Sequence, residues 1–117
     1  MGGGSLVIFG NGEQTRDFVY VDDVVRALIA AATAPDVARR TINVGSGEDT
    51  SIQTLAQHVL TLTRSSSNII NSPVESGGVT RLRADVRLAR QILGYEPKVA
   101  LQEGLRRTLA EDPRFKR

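Results

Sequence analysis

Short β-prone runs alternating with longer stripes of helical period constrain this chain more than any other feature. Leu6-Val7-Ile8-Phe9 is an apolar run halted by Gly10-Asn11-Gly12, a strong turn signal. Phe18-Val19-Tyr20-Val21 is a second such run. Asp22 then stands where a helix N-cap belongs, with Asp23 in the first turn. Val24, Val25, Leu28, Ile29 and Ala32 recur at helical spacing up to Pro35, which predicts a helix with those residues facing inward. Residues 41–44 predict a third strand, closed by Gly45-Ser46-Gly47. Ser51 can cap a second helix that carries Ile52, Leu55, Val59 and Leu62 on one face, with His58 beside them. Asn68-Ile69-Ile70 predicts a fourth strand, and residues 73–78 an irregular stretch. Asp85 can cap a third helix with Val86, Ala89, Ile92 and Leu93 inward and Gly94 as its stop. Leu101, Leu105 and Leu109 mark a fourth helix, and the basic tail from Arg114 is expected to fray. Strands alternating with helices place the chain in the α/β class. Its 117 residues suit a single domain spanning residues 1–117.

Composition removes several function classes. There is no cysteine, so disulfides, thiolate metal sites and a cysteine nucleophile are all excluded. The lone His58 and the scattered carboxylates make no metal-ligand spacing, and no metal site is expected. His58 reads as an edge-of-core histidine. A net charge of +2 gives little ground for a nucleic-acid partner. No apolar stretch approaches the ~18 residues of a membrane span. Met1-Gly2-Gly3-Gly4-Ser5 lacks the charged and apolar regions of a signal peptide, so the expected location is cytoplasmic.

The stretch from Phe9 to Val25, with its Phe9-Gly10-Asn11-Gly12-Glu13-Gln14-Thr15-Arg16-Asp17-Phe18 core and Asp22-Asp23 pair, resembles the hallmark segment of the NAD-dependent epimerase/dehydratase family, the extended short-chain dehydrogenases. Asn43-Val44-Gly45-Ser46-Gly47 before Ser51 resembles the next block of that family. Arg83-Ala84-Asp85, Leu93-Gly94-Tyr95-Glu96-Pro97 and Glu103-Gly104-Leu105 resemble its closing blocks, in the family's order. The resemblance implies a partial extended short-chain dehydrogenase fold: the C-terminal Rossmann elements with the substrate-binding subdomain. It implies a nucleotide sugar, UDP-, GDP- or dTDP-linked, as ligand. Arg16 inherits contact with the diphosphate, for which a guanidinium offers a matching fork of donors. The alternative for Arg16 is a pair with Asp17 on a surface turn. Val7, Ile8 and Phe9 match the strand that lies against the nucleobase, although the residues alone describe only a buried strand. Gln14 is a candidate polar contact.

What the family needs for chemistry is absent from the chain. A Gly-rich dinucleotide fingerprint is missing; Gly45-Ser46-Gly47 falls in the wrong place in the motif order and lacks the third glycine. No cofactor is therefore expected for this chain alone, NAD belonging to the full-length family. The family's catalytic Tyr is followed four residues later by Lys, and here Tyr20 is followed by Val24 and Tyr95 by Val99. Both tyrosines read as packing residues, no catalytic residue is assigned, and no turnover is expected. Beyond Pro73, Glu75 stands where the family commonly has an Arg for phosphate, and Gly78 where it has an Asp for the ribose. Arg81 and Arg83 are the residues that could compensate. Two readings follow: the inactive substrate-binding part of a nucleotide-sugar epimerase/dehydratase, or an autonomous self-associating domain that has lost its ligand. The partners implied are an N-terminal Rossmann domain in the first case and a second copy in a homodimer in the second.

Overall fold

The computed structural model describes residues 4–74 and 77–116. Within residues 1–117 the chain forms two compact units, Met1–Arg16 with Asp49–Leu82, and Asp17–Glu48 with Arg83–Arg117. The class is α/β.

The first unit holds every strand among the described residues. Strand β1, Leu6–Phe9, pairs in parallel with β4, Ile69–Ser72, with Val7 opposite Ile70 and Phe9 opposite Ser72. Helix α2, Ile52–Thr63, lies between them in sequence, as a parallel pair requires a crossover. Ser51 caps α2 as its sequence predicts, its Oγ accepting from the Thr54 N–H at 3.1 Å. A short antiparallel ribbon joins β2, Thr15–Arg16, to β3, Thr50–Ser51, and Thr15 also bridges to Arg81.

The second unit is helical. Helix α1, Val21–Thr33, packs through Ala27 on α3, Arg87–Leu93, and Val86, Ala89 and Tyr95 complete the buried cluster. Helix α4, Leu101–Glu111, is followed by a single 3₁₀ turn, Pro113–Phe115, which Asp112 caps where a frayed tail is expected. Gly94 ends α3 in the left-handed conformation, φ 62°, as read from the sequence.

Four sequence expectations need correction here. The runs at 18–21 and 41–44 form no strand: Phe18 to Tyr20 is extended, Val21 already belongs to α1, and residues 41–44 carry no ladder. An extended segment becomes a strand only with a partner, and this unit offers none among the described residues. Asp22 is not the N-cap of α1; Tyr20 is, without a side-chain bond. Asp85 caps α3 from one position earlier than the helix boundary, accepting from the Arg87 N–H at 3.1 Å.

The fourth correction concerns the inward face of α1. Val25, Leu28 and Ile29 are 43%, 65% and 65% exposed, whereas Asp23 and Ala27 are buried. The buried stripe thus runs one step around the helix from the apolar one. Ala27 is small enough to let α3 approach. Asp23 goes inward because its carboxylate is fully used: it accepts from the Lys98 N–H at 3.0 Å and the Val99 N–H at 3.2 Å, and pairs with Arg26. A buried charge is tolerated when hydrogen-bonded and paired in this way.

Asp23→Ala should therefore leave two backbone donors without a partner and cost about 2–4 kcal/mol. Asp22→Ala, one residue away and exposed, should change stability by less than about 0.5 kcal/mol. Urea unfolding of the two variants tests the pair; equal effects would show that the Asp23 carboxylate is not what holds residues 98–99.

Candidate functional site

Strand alternation sorts the first group of predicted site residues. Ile8 is 5% exposed and points into the first unit, while Val7 and Phe9 lie on its open face at 57% and 55%. The buried-strand expectation thus holds for Ile8 and not for its neighbours, because successive side chains take opposite faces and only one face is covered. The chain then turns at Gly10 and Gly12, both with φ near +75°. Only glycine adopts this freely, and a Cβ at Gly12 would also meet Gln53 Oε1 at 2.8 Å. The Gly12 carbonyl accepts from the Gln53 N–H at 3.0 Å, and Asn71 Nδ2 donates to the Gly10 carbonyl at 2.9 Å.

This turn brings Phe9 and Gln14 together. They line a cavity of about 170 Å³ with Gly10, Asn11, Glu13, Gly78, Val79 and Thr80. Gln14 Nε2 donates to the Phe9 carbonyl at 3.4 Å. Gly78, one of the two departures from the family pattern, forms part of the wall with φ +125°; Glu75, the other, lies outside the described residues. Val7 and Ile8 do not reach this wall.

Arg16 is half-buried on β2, outside the cavity lining, and its Nη1 donates to the Thr15 carbonyl at 2.6 Å. No carboxylate among the described residues of its own unit pairs with it. Arg81 is different: its Nε lies 2.8 Å from Asp49 Oδ2, which also accepts from Thr15 Oγ1 at 2.8 Å. The bond to Asp49, and then its charge, raise the Arg81 pKa further. Arg81 is therefore already neutralised. Arg83 belongs to the second unit, where it borders a concavity of about 370 Å³ with Gly47, Ala84, Asp85, Val86 and Arg87.

In the second unit the Gly45-Ser46-Gly47 loop does resemble an anion cradle, but its anion is internal. Asp17 accepts from the Ser46 N–H at 2.8 Å, Ser46 Oγ at 2.6 Å, the Gly47 N–H at 3.0 Å and the Ala84 N–H at 3.1 Å. The backbone donors that a dinucleotide pyrophosphate would need are occupied, so these residues do not fit NAD. Sequence reasoning missed this role of Asp17; no local pattern announces a bond to residues 29 and 67 positions away.

Each tyrosine is held by its neighbours. Tyr95 is 4% exposed and its hydroxyl donates to the Gly45 carbonyl at 2.6 Å. Burial, then the Asp23 and Asp17 charges, push its pKa up. Tyr20 packs on Gly104 and under the Arg107 guanidinium, 5.7 Å from the ring centre, and burial followed by the Glu111 charge raises its pKa too. His58 is half-buried on α2. Among the described residues no group of three or more His, Asp or Glu could hold a metal, and no helix is long and apolar enough to cross a membrane.

The family model described as the NAD dependent epimerase/dehydratase family matches residues 1–45. A UDP-glucose 4-epimerase of Mycolicibacterium smegmatis is 37% identical over 93% of this chain and 34% of its own length. A crystal structure of UDP-glucose 4-epimerase from Thermotoga maritima, with UDP-glucose, superimposes with a TM-score of 0.83 at 38% identity, covering 91% of this chain and 34% of that one. The chain thus resembles a portion of members of the NAD-dependent epimerase/dehydratase family, and its α/β fold is a partial extended short-chain dehydrogenase fold. It spans about a third of the length of the curated relatives it matches, among them also the UDP-N-acetyl-alpha-D-glucosaminuronate decarboxylase of Bacillus cytotoxicus, 36% identical over 92% of this chain and 35% of its own length. In this chain the segment from Phe9 to Asp17 serves two purposes: residues 9–16 build the cavity and β2, while Asp17 anchors the second unit.

The anchor is open to test. A Cβ at Gly45 would sit 2.6 Å from both Asp17 Oδ2 and Ala84 Cβ. Gly45→Ala should destabilise the chain by about 2–3 kcal/mol through overpacking. Gly94→Ala, where a Cβ meets nothing within 4 Å and only φ is strained, should cost nearer 1 kcal/mol. Thermal unfolding of the two variants checks the order.

Proposed function

We propose that this chain is the nucleotide-sugar-binding part of an NAD-dependent epimerase/dehydratase, located in the cytoplasm and without turnover by itself. UDP is the nucleotide we assign, because the relatives named above all carry UDP in their names. The observation that carries the reading is the state of Arg16. Arg81, which bridges to the same ribbon at Thr15, is held by a carboxylate. Arg16 is half-buried, donates to the neighbouring Thr15 carbonyl and pairs with no carboxylate among the described residues of its own unit, which supports a role for its remaining guanidinium donors toward a diphosphate. Phe9 and Gln14 supply an aromatic face and an amide nearby in sequence. No residue here is assigned to hydride or proton transfer, and no cofactor site is proposed on this chain.

Titration with UDP-glucose followed by NMR should give saturable shifts with Kd on the order of 1 mM or tighter, about 4 kcal/mol of binding. Arg16→Ala should weaken it about tenfold or more, with Arg16→Lys in between, since a point charge replaces a fork. NAD should give no saturable response. Equal affinity for wild type and Arg16→Ala would remove Arg16 from the site.

A second reading, self-association as a homodimer with ligand binding lost, is favoured by a different observation. Val21, Leu28 and Ile29 expose 60%, 65% and 65% of their surfaces along α1. A run of large apolar side chains in water is a common mark of an interface. Light scattering at about 100 μM protein should find a dimer that Leu28→Glu dissociates; a monodisperse monomer excludes this reading.

A further inference from the structure

The turn between β1 and β2 holds a pair of groups that can react with each other. Asn11 is exposed and is followed by Gly12, whose backbone N–H makes no hydrogen bond among the described residues. A backbone nitrogen can attack the side-chain amide of the asparagine before it, and glycine leaves that path open because it has no Cβ. The other asparagines, Asn43, Asn68 and Asn71, precede Val44, Ile69 and Ser72, whose side chains crowd the same approach. The Asn11 amide is also set up at both ends by Glu13. Asn11 Oδ1 accepts the Glu13 N–H at 2.9 Å, and Asn11 Nδ2 donates to Glu13 Oε2 at 3.1 Å. Attack on Cγ would drive negative charge onto Oδ1, where the Glu13 N–H is already aimed; a fixed donor at that position stabilises an oxyanion. The nitrogen that must leave is Nδ2, which needs a proton, and the Glu13 carboxylate lies against it, within reach to relay one. The flanking backbone is held on both sides: the Gly10 carbonyl accepts from Asn71 Nδ2 at 2.9 Å and the Gly12 carbonyl from the Gln53 N–H at 3.0 Å. Holding reacting groups in place removes part of the entropy that ring closure costs.

We propose that Asn11-Gly12 is a self-modification site, at which the asparagine deamidates through a succinimide and Glu13 speeds the step. The Gly12 nitrogen gives up its proton and bonds to Asn11 Cγ. The Cγ–Nδ2 bond breaks, and ammonia leaves with the proton that Glu13 relays to it. A water molecule then opens the succinimide at either carbonyl, which leaves an aspartate or an isoaspartate at position 11. Nothing is oxidised or reduced, and water is the only co-reactant. The product sets a further carboxylate beside Glu13 on the cavity wall. Its isoaspartate form also lengthens the backbone of the turn by a carbon, between two carbonyls that Asn71 and Gln53 hold in register. This chemistry is independent of any nucleotide-sugar ligand.

The full chain incubated at neutral pH, folded in buffer and unfolded in urea, tests the proposal. Peptide mass spectrometry that separates aspartate from isoaspartate follows each asparagine with time, and released ammonia gives a second readout. Position 11 should convert while Asn43, Asn68 and Asn71 stay intact. The folded chain should react about tenfold faster than the unfolded one, ~1.4 kcal/mol off the barrier, because only the folded turn brings Glu13 to both ends of the amide. Glu13→Gln keeps the backbone N–H and the side-chain shape but removes the proton relay, and should slow the folded reaction by about tenfold. Conversion that is equal in the two states, or slower in the folded chain, shows that the turn does not promote the reaction and overturns the proposal. A Glu13→Gln rate equal to that of wild type removes Glu13 from it. The folded-against-unfolded comparison uses wild type alone, so it decides even where Glu13→Gln folds poorly.

Discussion

The second unit depends on one carboxylate. Asp17 gathers the Ser46, Gly47 and Ala84 backbone donors and the Ser46 hydroxyl, tying together three segments distant in sequence. Hydrogen bonds to a charged acceptor are worth roughly 1.5–3 kcal/mol each, about twice the neutral value. Several neighbours follow from this arrangement. Gly45 has no room for a Cβ because Asp17 and Ala84 are against it, and its carbonyl then receives the Tyr95 hydroxyl. Tyr95 brings the segment after α3 onto Ala27 and Ala89. Asp23 does the same for residues 98 and 99. Two acidic side chains therefore hold a unit that has few large apolar residues in its core.

The first unit is organised differently, by a glycine turn that gathers polar groups around a cavity. Its charges are arranged by pairing rather than burial. Asp49 neutralises Arg81, which leaves Arg16 as the arginine still offering donors on the ribbon, while Asn11 fixes Glu13 at the cavity. A motif written in a single run of sequence, Phe9 to Asp17, is thereby divided by charge: the acid lines the cavity, the guanidinium lies on β2 beyond its lining, and the last aspartate turns to structural work.

Some of this was legible in the residues. Ser51 and Gly94 announced the ends of α2 and α3, because capping geometry depends on a few adjacent atoms. The β1 run and the helix at 101–111 were read from local spacing alone. The family blocks, and with them the α/β class, came from the same local text. The inward face of α1 was misread. Val25, Leu28 and Ile29 are the apolar choice, but Asp23 and Ala27 are the ones covered, since hydrogen-bond satisfaction and close approach outweighed hydrophobicity there.

The sequence by itself determined the class, the family resemblance, most helix boundaries and the absence of a glycine fingerprint and a Tyr–Lys pair. These are properties of short windows, in which backbone preference and residue chemistry act between near neighbours. Only the tertiary structure decided that residues 18–21 and 41–44 find no strand partner among the described residues, that Asp17 fills the Gly45-Ser46-Gly47 cradle, that Asp49 takes Arg81, and that Glu13, Phe9 and Gly78 line one cavity. Each of these is a matter of which donor meets which acceptor once distant segments are brought together, and pairing of that kind leaves no mark in the local sequence.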